Sequence, residues 1–164
     1  MPDTQLTPGS TFQYILNQQR PAALAWVRGG ASFPAISGLV KFYRTPYGGI
    51  LVEAEVFNLP GVDRPGSSGF FAMHIHQNGD CSHGFSMAGE HLGAAQTLHP
   101  HHAGDLLPLM ANQGYAWMAF YDKRFTIDDI LGRSVIIHRN PDDFTSQPSG
   151  NAGEMIACGK IMAG

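Results

Sequence analysis

The sequence predicts an all-β domain, a Greek-key β-sandwich or flattened β-barrel of about eight antiparallel strands with two long functional loops. Three observations lead there. Short segments alternate apolar and polar residues with period two and favour β-branched and aromatic side chains, the pattern of half-buried strands. Twenty glycines and eleven prolines supply turns between them. No window carries a convincing helix-length apolar stripe, although Phe125–Leu131 has room for one short turn.

Residues 1–20 are rich in Thr, Gln, Asn and Pro, show little periodicity and read as a polar N-terminal leader; the domain follows over 21–164. Ala22–Arg28 is the first strand. From Leu39 to Arg44, Val40 and Phe42 face one way and Lys41 and Tyr43 the other. Val52, Ala54 and Val56 alternate with Glu53 and Glu55 in the same fashion. Tyr47-Gly48-Gly49 makes the hairpin turn between these two strands. Residues 58–69, with Pro60, Gly61, Pro65 and Gly66, form a loop. Tyr115–Tyr121 and Arg133–His138 alternate again, and Met155–Met162 closes the sheet. The two long loops span 78–113 and 139–153.

At 164 residues the chain fits one domain, which would bury roughly two-thirds of its unfolded surface. Only 14% of residues are charged and the formal net charge is −3, which excludes a broad basic surface for nucleic acid or an anionic membrane. No apolar run reaches the length of a membrane span. The start, MPDTQLTPGS, has neither the charge nor the apolar core of an export signal, so the expected compartment is cytoplasmic, or extracytoplasmic if a signal has been removed. The two cysteines, Cys81 and Cys158, form no Cys-x-x-Cys.

The segment Met73–Asp105, MHIHQNGDCSHGFSMAGEHLGAAQTLHPHHAGD, holds seven of the eight histidines. Neutral imidazole is the commonest metal ligand, and a tract this dense reads as metal binding. In His74-Ile75-His76 the period of a strand puts both rings on one face. His91 follows a Gly-Glu pair. His99, His102 and Asp105 come at intervals of three around Pro100 and Gly104, which fits a tight loop wrapping one ion. The eighth, His138, ends the apolar run Val135-Ile136-Ile137.

The chain resembles the copper–zinc superoxide dismutases from about Ala22 to its C-terminus. The resemblance rests on His74-Ile75-His76, Ala88-Gly89-Glu90-His91, His102-Ala103-Gly104-Asp105-Leu106, Gly132–His138, Gly150-Asn151-Ala152-Gly153 and Ala157-Cys158-Gly159, all in the family's order. The short interval from His91 to Asp105 and the run Thr145–Ser149 resemble the bacterial branch. It implies an immunoglobulin-like barrel with copper and zinc as cofactors and superoxide as substrate.

The resemblance assigns copper to His74, His76, His91 and His138, and zinc to His91, His99, His102 and Asp105. Four imidazoles suit Cu(II), three suit Cu(I), and three nitrogens with a carboxylate make a closed tetrahedral zinc set. His91 belongs to both sets and is the expected catalytic residue, taking up a proton between the halves of the cycle. Asp142 would join His74 to His99 as a carboxylate behind the ligands. Cys81 and Cys158 fall where the family has its disulfide. His83 is read as a surface bystander, and His102 is preferred to His101 because His-x-Gly-Asp is the family's wording.

One position departs from the family. The arginine that faces copper one residue after Gly-Asn-Ala-Gly is here Met155, preceded by Glu154, and the guiding loop keeps no lysine between Arg139 and Ser149. Met73 also stands where an aromatic is usual. The expectation is superoxide dismutation with reduced efficiency. The alternatives are a non-enzymatic copper-binding or copper-buffering protein, with Met155 as a soft thioether, and a structural domain that keeps zinc alone. A homodimer and an unidentified copper donor are the partners the resemblance allows.

Overall fold

The computed structural model describes residues 7–62 and 65–164. Among the described residues nine strands form in chain order: β1 (Ala23–Gly29), β2 (Ser37–Arg44), β3 (Ile50–Phe57), β4 (Phe70–Phe71), β5 (Met73–His76), β6 (Leu109–Met110), β7 (Ala116–Asp122), β8 (Ser134–His138) and β9 (Met155–Ala163). Seven make one curled antiparallel sheet, ordered β5-β8-β9-β1-β2-β3-β7, and β4 pairs with β6. The expected all-β architecture is present, and the six longest strands lie where they are expected, within three residues at each end. β4 and β6 are only two residues long, too short to carry a period, and β6 interrupts the first long loop before its expected end at 113.

Alternation builds the core directly. Inward-facing Ala23, Ala25 and Val27 of β1 meet Val40 and Phe42 of β2 and Val52, Ala54 and Val56 of β3. From the opposite side come Met73 and Ile75 of β5, Val135 and Ile137 of β8, and Ile156 and Ile161 of β9. The turn anticipated after Phe125 is α2 (Ile127–Ile130), started by a capping box between Thr126 and Asp129.

The N-terminal leader needs correcting. Its first six residues lie outside the described residues, but Pro8–Gln18 is a helix, α1, rather than a loose segment. Thr7 caps it and Pro8 occupies its first turn, where a missing N–H costs nothing. Phe12, Ile15 and Leu16, at spacing i, i+3, i+4, pack on Tyr43 and Leu51 from the outer side of the sheet. Phe12 also stacks on Tyr121 with ring centroids 5.1 Å apart. Three residues make a stripe too short to stand out by periodicity, but the Thr-Pro start was a readable signal.

Candidate metal centre

β5 places His74 and His76 on one face while Met73 and Ile75 enter the core. Its neighbour β8 ends in His138, whose N–H donates to Ala72 O at 2.8 Å. There the pairing of β8 with β9 slips: Ile137 faces Ala157, yet His138 faces Met155. A bulge of this kind bends the strand and re-aims a side chain, and the His138 ring lies 5.5 Å from that of His76.

The first long loop folds back on β5. Ile75 N–H donates to Gly104 O and Leu92 N–H to Ile75 O, both at 2.8 Å. Only glycine allows this approach, since a Cβ at Gly104 would sit 2.2 Å from Ile75 O. Docked in this way, His91 and His99 face His74 with ring centroids 4.0 and 5.9 Å away, and His102 and Asp105 close on the far side of His91.

Two groups that could each hold a metal ion result. His74, His76, His91 and His138 each bring a ring nitrogen within 4.8 Å of the others, and so do the donor atoms of His91, His99, His102 and Asp105. All seven residues are buried, and His91 is in both groups. His83 and His101 are exposed and outside them.

The ring tautomers follow from the hydrogen bonds. His76 Nδ1 donates to Gly89 O at 2.8 Å, and His138 Nδ1 to Gly153 O at 3.1 Å. Burial lowers the pKa of His76 to about 3 and that of His138 well below its ordinary value, so both rings are neutral. Their Nε2 atoms then present lone pairs to each other at 3.4 Å, an arrangement a cation between them would satisfy. His74 donates through Nε2 to Asp142 Oδ2 at 2.8 Å, which leaves its Nδ1 buried without a partner. His91 Nε2 is buried and partnerless too. These orphaned lone pairs converge, so the first set fits a metal that prefers imidazole.

The second set converges on a carboxylate. Asp105 Oδ1 lies 2.7 Å from His91 Nδ1, and its Oδ2 lies 3.0 and 3.2 Å from Nδ1 of His99 and His102. Although 3.0 Å away, His99 Nδ1 is not aligned to hydrogen-bond that oxygen. Burial alone would raise the Asp105 pKa, but the His91 hydrogen bond and the surrounding rings lower it to about 2. Three nitrogens and one ionised carboxylate are the donor set of a tetrahedral zinc site.

Asp142 stands behind both groups. Its Oδ2 accepts from His74 and its Oδ1 from His99, each at 2.8 Å, and Phe144 N–H adds a third bond at 2.7 Å. Burial raises its pKa, and these three bonds outweigh the rise and keep it ionised. Gly150 makes room: a Cβ there would lie 2.0 Å from Asp142 Oδ1 and 2.6 Å from His99 Nε2.

Sequence reasoning missed two supports. Gln147 pairs reciprocally with the His99 backbone, accepting from its N–H at 3.0 Å and donating to its O at 2.7 Å. Arg124, oriented by Asp122, donates to the carbonyls of Pro100, His102 and Asp105. Nothing in the sequence marks either one, because each acts on backbone groups 19 to 48 residues away. The expected Cys81–Cys158 disulfide is present and ties the first loop to β9.

Residues 36–161 match the family described as copper/zinc superoxide dismutase (SODC). A superoxide dismutase [Cu-Zn] of Arabidopsis thaliana is 35% identical over 142 residues, covering 77% of this chain and 82% of that protein. This chain belongs to the copper/zinc superoxide dismutase family. Copper and zinc are accordingly its metals. Another member, from Caulobacter vibrioides, is 32% identical over 158 residues and covers 85% of each chain. The extracellular superoxide dismutase [Cu-Zn] of Rattus norvegicus is 34% identical over 134 residues, covering 76% of this chain. The chain spans only about half of that relative's length, 54%. Among solved structures, the clock protein EA4 superposes with a TM-score of 0.73 at 26% identity, covering 87% of this chain and 95% of that one.

In this dismutase-family chain a pocket of about 430 Å³ opens onto the first of these groups, lined by His76, His91 and His138 together with Leu98, Pro148 and Met155. Among the described residues lining it there is no lysine or arginine, and Glu90 is a carboxylate. Arg139, next in sequence to His138, points elsewhere, with its guanidinium near Ser67 Oγ and 5.8 Å from the Phe33 ring centroid.

Proposed function

We propose that the protein dismutates superoxide to dioxygen and hydrogen peroxide, with copper held by His74, His76, His91 and His138 and zinc by His91, His99, His102 and Asp105. The observation that carries this reading is the membership of His91 in both buried ligand groups. Bound there, copper supplies a one-electron redox couple and zinc a fixed positive charge. The protein's residues do the remainder. Asp142 fixes the tautomers of His74 and His99, and the Gly89 and Gly153 carbonyls fix those of His76 and His138. His91 takes up a proton at Nε2 in one half-cycle and gives it to the reduced product in the other.

Turnover is reduced, in this reading, because Met155 stands where a cation would draw the anion in. Electrostatic focusing over a whole cleft is worth roughly 10- to 1000-fold in on-rate, and one charge supplies a fraction of that. The disulfide fits an oxidising, extracytoplasmic compartment. Pulse radiolysis of protein loaded with one copper and one zinc per chain tests the activity: loss that is first order in superoxide, scales with protein concentration and well exceeds spontaneous decay supports it, and loss at the spontaneous rate refutes it.

One observation favours a second reading, copper buffering. The Met155 thioether borders the pocket beside His76 and His138, and thioethers favour Cu(I). Tight Cu(I) binding without turnover would select that reading.

A further inference from the structure

The first long loop packs on the outer side of β8 and β9, whereas across β1, β2, β3 and β7 the outer face is covered, among the described residues, at only one end. Helix α1 caps the row in which Tyr43, Leu51 and Tyr121 lie side by side on β2, β3 and β7. Two rows further along, Trp26, Leu39, Glu55 and Trp117 stand opposite one another across β1, β2, β3 and β7. Trp26 is 63% exposed and Trp117 52%, and nothing among the described residues covers them. Next along β2 and β3, Ser37 faces Phe57, whose ring lies 5.2 Å from that of Tyr115. Between Trp26 and Phe57, over Gly38, runs a groove of about 360 Å³.

Two of these rings are held by hydrogen bonds. Trp117 Nε1 donates to Glu53 at 3.2 Å, and Tyr115 Oη to Glu55 at 2.9 Å. Isolated exposed apolar side chains are ordinary, but four exposed rings on one sheet face, Trp26, Phe57, Tyr115 and Trp117, with Leu39 and polar groups among them, mark a binding surface. The charges decide the class of ligand. Arg28 and Lys41 share this face with Glu53 and Glu55, and Lys41 is already paired with Glu53 at 3.1 Å. The face is thus close to neutral, which suits neither a polyanion nor a polycation. The surface is a sheet face, not an edge, so its backbone is already paired and cannot take up an extended peptide as another strand.

We propose that this face binds a neutral oligosaccharide. The apolar C–H faces of pyranose rings stack on flat aromatic side chains, while hydroxyl groups bond to flanking carboxylate and guanidinium groups. Trp26 and Trp117 supply the platforms, with Glu55 and Arg28 as polar partners. Three interstrand spacings separate the two indoles, roughly 14 Å, a span that favours a chain over a single sugar.

The test is titration of the metal-loaded full chain with cellohexaose, chitohexaose and maltohexaose, followed by tryptophan fluorescence. Saturable binding of at least one is expected. Trp26→Ala and Trp117→Ala should each weaken it about tenfold, equivalent to about 1.4 kcal/mol, and Trp26→Phe should retain most of it. Metal content and superoxide turnover should stay unchanged. The proposal is overturned if none of the three binds at millimolar concentration. It is equally overturned if sedimentation shows a dimer that Trp26→Ala dissolves, which would assign the face to a second copy.

Discussion

His91 is the residue where the two candidate ligand groups meet, and its neighbours explain how it can. Asp105 takes one side of the ring through Nδ1, and Nε2 is left buried and unpartnered toward His74, His76 and His138. The same logic runs through Asp142, which links His74 to His99 only because Gly150 has no side chain. Replacing Asp142 by Asn should weaken metal affinity about 10- to 100-fold, since carboxylates behind metal-bound histidines orient them. Competition with chelators would measure this, and unchanged affinity would reduce Asp142 to a turn residue. Gly150→Ala should reproduce much of the loss with the fold intact by circular dichroism. Met155 makes the opposite prediction. A positive charge about 5 Å from the anion is worth up to roughly 3 kcal/mol at an effective dielectric of 20, before screening. Met155→Arg should therefore raise turnover about tenfold if 1.4 kcal/mol survives. The gain should shrink as salt rises. If Met155 instead matters as packing against Phe85, Ala88 and Ile136, the arginine would leave turnover flat and lower stability.

Among the elements, the first long loop matters most, because it carries four metal-facing side chains with little regular structure. Besides its backbone bonds to β5 and the Asp142–His99 bond, three attachments hold it: the Cys81–Cys158 bond to β9, the reciprocal Gln147–His99 pair, and the Arg124 contacts to three of its carbonyls. Arg124→Ala should loosen residues 99–106, visible as faster amide exchange there and weaker zinc binding, with copper affected less. Equal loss of both metals would mean that Arg124 supports the whole barrel. A bond that closes a loop with a separation of 77 residues contributes about 4–5 kcal/mol in the chain-entropy model. Urea unfolding of Cys81→Ser/Cys158→Ser, compared with the oxidised protein, should show a drop of that order.

For the whole molecule, the buried imidazoles make stability depend on pH when metal is removed. Burial holds His74, His76 and His138 below their ordinary pKa, His76 at about 3. The unfolded chain binds protons on these rings from about pH 6.5 downward, whereas the folded chain binds them only at lower pH. More protons on the unfolded state means stability rises with pH, so metal-free protein should weaken as pH falls from about 6.5 toward 3. Urea midpoints at several pH values in that window would show it, and a flat profile would contradict buried neutral rings.

The legible parts of this molecule are those whose signal is local. Val40, Phe42, Val52 and Val56 announced strands because alternation repeats within a few residues, and the histidine-dense run announced metal because its donors lie close in sequence. The helix α1 escaped because its stripe is only Phe12, Ile15 and Leu16, set among polar residues. β4 and β6 were too short to show a period. Arg124 and Gln147 left no signal, since their partners are backbone atoms far along the chain. The bulge at His138 is also a property of pairing, and no single strand displays it.

The claim on which all of this turns is that His91 is shared by copper and zinc. Electron paramagnetic resonance of protein holding one copper and one zinc per chain, compared with His91→Ala loaded in the same way, tests it most directly. A shared ring predicts that the variant shifts to the spectrum of a mononuclear copper site whose signal no longer responds to zinc. The same copper spectrum in both proteins would contradict the bridge.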